Sequence, residues 1–190
     1  FKNINTFLCR KLPRNNSLIL THKENDEVYY PDEDIVRVDA ATLEELKKLA
    51  LLNERQRVRL CAHKSQTDKI HEMFIVHTSE CYVRPHKHIG KAESMAILEG
   101  EADLVLFHDN GDVREVLQMG APETNKLFYY RMSEPIYHSL LIRTPFLVFH
   151  ESTEGPFLRE KTVFPEWAPE ENTDEQKLYL DKIESLIKTV

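Results

Sequence analysis

Over the middle of the chain, apolar residues gather in many short β-type runs. These are Arg57 to Ala62, Met73 to Thr78, Ser94 to Leu98, Ala102 to Phe107, Val113 to Met119, Leu127 to Arg131, His138 to Arg143 and Phe146 to His150. Short strand-like runs broken by frequent turn residues predict a β-sandwich or barrel. The Asn-Gly pair in Asp109-Asn110-Gly111-Asp112 predicts a hairpin between two of these runs. Two segments carry helical spacing instead. Thr42-Leu43-Glu44-Glu45 reads as a capping box, followed by Leu43, Leu46, Leu49 and Ala50 on one face, giving a helix to about Asn53. Near the end, Thr173 with Gln176 predicts a second start, with Tyr179, Leu180, Ile183, Leu186, Ile187 and Val190 as the apolar face. The first forty residues are irregular, with a polar patch from His22 to Asp34 and an extended-looking Asp34 to Val38. No fixed-period repeat is visible.

Composition narrows the class. A chain of 190 residues with 41% hydrophobic and 30% charged residues fits one globular domain with a sizeable core. The expected organisation is an N-terminal extension and helix over 1–54, a barrel over 55–171 and a C-terminal helix over 172–190. A net charge of −7 opposes a phosphate-backbone partner, so nucleic acid is set aside. No apolar run approaches the roughly 18 residues that span a bilayer, so no membrane partner is expected. Phe1 to Asn16 interrupts its apolar residues with Arg10, Lys11 and Arg14, unlike a signal peptide. Cys9, Cys61 and Cys81 are odd in number and lack CxxC spacing, which suits reduced thiols and a cytoplasmic location.

The candidate chemistry lies in histidines. In Pro85-His86-Lys87-His88, strand geometry points both imidazoles one way and Lys87 the other. On its own the doublet is weak: nine His in 190 residues give roughly 0.4 such pairs by chance. After Gly90, Glu93 begins the next run and returns a carboxylate towards the pair, and Gly100 ends that run at a turn. The spacing H-x-H-x4-E-x6-G over His86 to Gly100 resembles the first cupin motif. Ser133-Glu134-Pro135-Ile136-Tyr137-His138 stands where the second motif, P-x-G-x-x-H, belongs. Its His is present, whereas Ser133 and Pro135 replace the usual Pro and Gly, Ile142 a frequent Asn, and Glu80 the Gly that opens the first motif.

Further segments sharpen the resemblance. Arg55-Gln56-Arg57-Val58-Arg59-Leu60-Cys61-Ala62-His63 and Tyr82-Val83-Arg84-Pro85 are similar to segments of the WbuC-type cupin family. So are the closing Glu151…Gly155-Pro156-Phe157 and Phe164-Pro165-Glu166-Trp167-Ala168-Pro169-Glu170, and together the segments span about Arg55 to Glu171 in the family's order. The resemblance implies a mainly β cupin fold, a double-stranded β-helix (jelly-roll) barrel flanked by N- and C-terminal α-helices. It also implies one divalent transition metal held by His86, His88, Glu93 and His138, and an association with bacterial surface-polysaccharide synthesis.

Glu93 has a second reading, as a group that orients a ligand His and leaves a three-His site. Three imidazoles and a carboxylate suit Mn, Fe, Co, Ni or Zn without choosing among them. Arg57, Arg59 and His63 share strand parity. The arginines are candidates to clamp an anionic carbohydrate-type ligand, against the alternative of an ion-paired strand face. His63, or Tyr82, is the candidate acid–base group. Trp167-Ala168-Pro169 reads as a structural clamp, and His22, His71, His77, His108 and His150 receive no role. The leading reading is metal-dependent isomerisation or epimerisation of a sugar or sugar nucleotide. A non-catalytic carbohydrate-binding module and an Fe(II) oxygenase are the alternatives, and a homodimer is expected by analogy with other cupins.

Overall fold

The structure, a computed structural model, describes residues 22–187. Cys9, the Phe1 to Asn16 stretch and Val190 lie outside the described residues. In chain order the elements are β1 (His22–Lys23), β2 (Val28–Tyr30), α1 (Ala40–Leu52), β3 (Arg57–Cys61), β4 (Ile70–Thr78), β5 (Lys87–His88), β6 (Glu93–Glu99) and β7 (Glu101–Phe107). They continue with β8 (Val113–Gly120), β9 (Tyr129–Met132), β10 (Tyr137–Ile142), β11 (Phe146–Glu154), β12 (Thr162–Val163) and α2 (Asp174–Ile187). Each of the eight short runs falls on a strand. Asp34 to Val38 is not: it forms a bend and coil, and the pairing falls to Val28–Tyr30, which lies parallel to β3.

The pairing order fixes the fold. One sheet runs β1-β2-β3-β4-β11-β6-β9 and another β10-β7-β8, while β5 pairs with β12 and is bridged to β10 through His86 and His138. From β4 to β11 the chain therefore winds between two layers, ordered β4-β11-β6-β9 and β5-β10-β7-β8. Two interlocked Greek keys in that order are the cupin jelly roll. The inner faces of both layers supply the core, where Met73, Ile75, Met95, Ile97 and Phe149 meet Leu104, Leu106, Met119 and Leu140.

The helices cover the outer faces. Leu46 and Ala50 of α1 pack on Val58, Leu60, Val76 and Val148, on the outside of the larger sheet. Ile183 of α2 packs with Val105, Phe107, Tyr137 and Leu141, outside the smaller one. The first helix starts earlier than the Thr42 capping box predicts. Asp39 is the N-cap, and its Oδ1 accepts from the Thr42 backbone N–H and hydroxyl, both at 2.9 Å. A carboxylate caps at least as well as a hydroxyl, and Ala40 and Ala41 add strong helix formers, so the start moves to Ala40. The second helix begins as its sequence predicts: Thr173 Oγ1 accepts from the Gln176 N–H, and Gln176 Oε1 accepts from the Asn172 N–H.

Both predicted turns form. At Asp109 to Asp112 the His108 N–H donates to the Asp112 carbonyl at 2.9 Å, and Trp167 lies against Gly111 with its Nε1–H donated to the Asp109 carbonyl. Gly100 turns β6 into β7 at φ +86°, where an added Cβ would lie 2.1 Å from the Phe146 carbonyl oxygen. Gly90 also has a positive φ, +65°, but nothing lies within 4 Å of an added Cβ. Gly90→Ala is expected to cost only the left-handed conformation, about 1 kcal/mol, and Gly100→Ala at least about 2 kcal/mol more. Urea unfolding of the two variants measures the difference; equal losses would show that the backbone approach at Gly100 is unimportant.

Candidate metal centre

The short β5 and the start of β10 face each other across the His86–His138 bridge, with backbone N–H to O distances of 3.1 and 2.9 Å. This pairing brings three imidazoles together: one ring nitrogen from each of His86, His88 and His138 lies within 4.8 Å of the others. Their remaining nitrogens fix the orientation. His86 Nδ1 is 2.8 Å from the Arg84 carbonyl and His138 Nδ1 is 2.9 Å from the Ile136 carbonyl. Carbonyl oxygens only accept, so Nδ1 carries the proton in both and Nε2 is turned to the site as a donor atom for a metal. His88 is held by Thr162 Oγ1 at 3.2 Å, across the β5–β12 pair.

Glu93, at the start of β6, is buried. Its two oxygens lie 3.0 Å from His88 Nε2 and His138 Nε2, and Tyr130 donates its hydroxyl at 3.0 Å. The carboxylate thus meets two of the three imidazoles, and among the described residues His86 has no acidic neighbour at hydrogen-bond distance. The electrostatics follow. Burial pushes the His86 imidazolium down to about 3, aided by repulsion from His138 and His88. Burial acts on His138 in the same direction, but the Glu93 carboxylate overrides it and raises the pKa. Glu93 itself stays well below the ordinary carboxylate range despite its burial, held there by His138 and His88. Three imidazole nitrogens and an ionised carboxylate form a donor set that fits a divalent transition metal.

This group forms part of the lining of a cavity of about 780 Å³. Its wall is the inward parity of the larger sheet: His71, Met73, Ile75 and His77 on β4, and Phe149, Glu151 and Thr153 on β11. Arg57, Arg59 and His63 also line it, so their shared parity holds. Their states differ. Arg57 Nε donates to Glu27 at 3.0 Å and its guanidinium lies 3.5 Å from Glu171, so it belongs to an ion-paired group with Arg55. The Arg59 guanidinium makes no hydrogen bond or ion pair among the described residues, although the Arg59 backbone N–H donates to the Glu27 carbonyl at 2.8 Å. His63 is buried, its Nδ1 engaged with the Glu72 backbone and its ring stacked on His71 at 4.0 Å. Tyr82 is not brought to this cavity. Its hydroxyl donates to the Pro169 carbonyl at 3.1 Å, and its ring lines a separate cleft beside α2.

Several cavity groups escape sequence reasoning. Glu151 sits between Met73 and Met95 in the strand register, where burial and the Glu93 charge push its carboxyl up to about 7. Its signal is a charged residue in phase with Leu147 and Phe149. Lys91 precedes β6, and burial lowers its pKa. Tyr130 holds Glu93. His77 is buried with an unpartnered Nδ1, packs edge-on to Phe149, and is pushed down to about 3 by burial, Arg59 and Arg55.

Residues 38–119 match a family described as Domain of unknown function (DUF6016). No curated protein matches the chain. Among solved structures it is similar to the capsular polysaccharide assembling protein CapF of Staphylococcus aureus (17% identity, 60% of this chain, 33% of that chain, TM-score 0.48). It is also similar to a protein of Shewanella oneidensis (7% identity, 54% and 66% covered, TM-score 0.44). A third is the oxalate decarboxylase of Lactobacillus farciminis in its formate complex (14% identity, 51% and 27% covered, TM-score 0.41). The chain spans less than two thirds of the length of each of these proteins.

The His77 shift has a consequence for stability. Below its unfolded pKa of 6.5 the unfolded chain takes up a proton at His77 that the folded chain refuses until about pH 3. Stability contributed by the neutral ring is present above pH 6.5 and lost as pH falls through that window. Between pH 6.5 and 5 the loss is expected to reach about 2 kcal/mol at this site. Urea unfolding at the two pH values checks it: His77→Leu should lose less stability than the parent on acidification, and parallel losses would contradict the assignment.

Proposed function

We propose that the chain is a metal-binding cupin of the WbuC type whose cavity takes an anionic carbohydrate-type ligand. In this reading the site carries out metal-assisted isomerisation or epimerisation of a sugar or sugar nucleotide in bacterial surface-polysaccharide synthesis. The observation that carries it is the convergence of three imidazole nitrogens within a cavity of about 780 Å³, a size that accommodates a small organic ligand. A divalent metal held there supplies Lewis acidity that polarises a carbonyl or hydroxyl oxygen. The chain's own groups do the rest. His86, His88 and His138 hold the ion, with Glu93 as a further ligand or as the carboxylate that orients His88 and His138. Arg59 attracts the anionic group, and His63 is the proton-moving candidate that faces the cavity. The segments from Arg55 to His63 and from Glu151 to Glu170 support the WbuC-type assignment. Buried, unpaired Cys61 and Cys81 suit a cytoplasmic setting. A homodimer belongs to the same reading, supported by Leu127, Phe128 and Tyr129, each about half exposed beside the edge strand β9.

One observation favours a second reading, a metal-dependent carbohydrate-binding module without catalysis. His63 Nδ1 and the Tyr82 hydroxyl are already engaged with backbone groups, so neither proton-moving candidate is fully free. The two readings separate when metal-loaded protein is incubated in heavy water with sugar nucleotides and keto-sugars. The catalytic reading expects ligand-induced thermal stabilisation together with deuterium entering one C–H position. Stabilisation without exchange supports the binding module, tight iron with oxygen uptake supports an oxygenase, and neither stabilisation nor exchange removes the carbohydrate reading.

A further inference from the structure

We propose that Glu151, Arg59 and Lys91 form a recognition subsite that selects a hydroxylated organic anion over a bare one. The subsite rests on the reading that an organic anion enters this cavity, but not on the metal or on turnover.

All three side chains line the cavity. Among the described residues none of them makes a hydrogen bond or ion pair, although every other carboxylate named in the cavity wall is committed. Glu93 is bonded to two imidazoles and Tyr130, while Glu27 and Glu171 hold Arg55 and Arg57. The two cations act on Glu151 from different elements, Arg59 from β3 and Lys91 from the segment before β6. Glu151 itself lies between Met73 and Met95, two residues along β11 from Thr153, which pairs with Glu93. The strand register therefore puts it on the same wall as the metal group, and Arg59 two strands away.

This mixture of charges has a definite selectivity. Two unpaired cations attract an anion, and a cavity built for a bare anion would not place a carboxylate beside them, because like charges at close range repel. A carboxylate is an acceptor only, so it suits a ligand that brings hydroxyl donors along with its negative group. The ligand class is thus a polyhydroxylated anion, with its charge towards Arg59 and Lys91 and at least one hydroxyl donated to Glu151. Farther along the same inward parity the buried, unpartnered Nδ1 of His77 offers one more polar contact.

The test compares sorbitol phosphate with inorganic phosphate by isothermal titration of full-length, metal-loaded protein at pH 8. The parent is expected to prefer sorbitol phosphate by about tenfold or more, the size of one charge-assisted hydrogen bond. Glu151→Gln, which keeps shape and removes charge, should collapse that preference by about tenfold, partly through tighter binding of phosphate. Glu151→Asp, with the charge retained, should keep most of it. Arg59→Gln and Lys91→Gln should weaken both probes together and leave the preference standing. Thermal melting confirms that each variant is folded. A preference unchanged in Glu151→Gln, phosphate affinity unchanged in both cation variants, or no binding of either probe to the parent would overturn the subsite. Affinities as expected with no deuterium exchange in heavy water would count against the proposed reaction alone and support the subsite.

Discussion

A carboxylate as deeply buried as Glu93 stays ionised only where protons or cations face it closely. Here the facing groups are His88 and His138, drawn from two different strands, and the Tyr130 hydroxyl from a third. The jelly-roll winding is what makes this possible. Because β5 and β10 lie side by side in one layer and β6 and β9 in the other, Glu93 and His138, far apart in sequence, meet across the barrel interior. Breaking either imidazole contact would leave a buried charge short of compensation, a cost of several kcal/mol. The His86 imidazole occupies the same environment without an acidic contact, and its strongly lowered pKa keeps it neutral and ready to donate a lone pair.

Around that centre the molecule divides its surfaces cleanly. One parity of the larger sheet faces inwards and is apolar near the middle, through Ile75, Phe149 and Ile97, but polar towards the site, through Glu151, Thr153 and Glu93. The other parity faces α1 and supplies its own apolar cluster. The C-terminal segment closes the opposite side, where Trp167 packs on Phe107, Tyr137 and the Gly111 turn. The guanidiniums of Arg55 and Arg57 tie Glu171 to Glu27, joining the end of the barrel to the segment before it.

Much of this was legible in the residues, and the failures have physical causes. Short apolar runs bounded by turn residues report strands because both signals are local, so all eight runs are found and His86, His88, Glu93 and His138 come together as their motifs imply. The start of α1 was misplaced because two capping residues competed and Asp39 won. Parity put Arg57 on the cavity side, yet nothing local reveals that Glu27 and Glu171 neutralise it. Tyr82 lies in a non-repetitive segment with no parity to read, and its partner Pro169 is contributed by the far end of the chain. Glu151, Lys91 and His77 acquire their character only from what surrounds them in the folded cavity.

The proposed function stands on a metal ion held by His86, His88 and His138. Elemental analysis of purified protein, with X-ray absorption at the edge of the metal found, tests it most directly. The expected result is about one divalent transition-metal ion per chain, with imidazole nitrogens at about 2.0–2.1 Å for zinc, and near-complete loss in His86→Ala and His138→Ala. A folded parent that contains no metal and takes up none when offered Mn, Fe, Ni and Zn would contradict it.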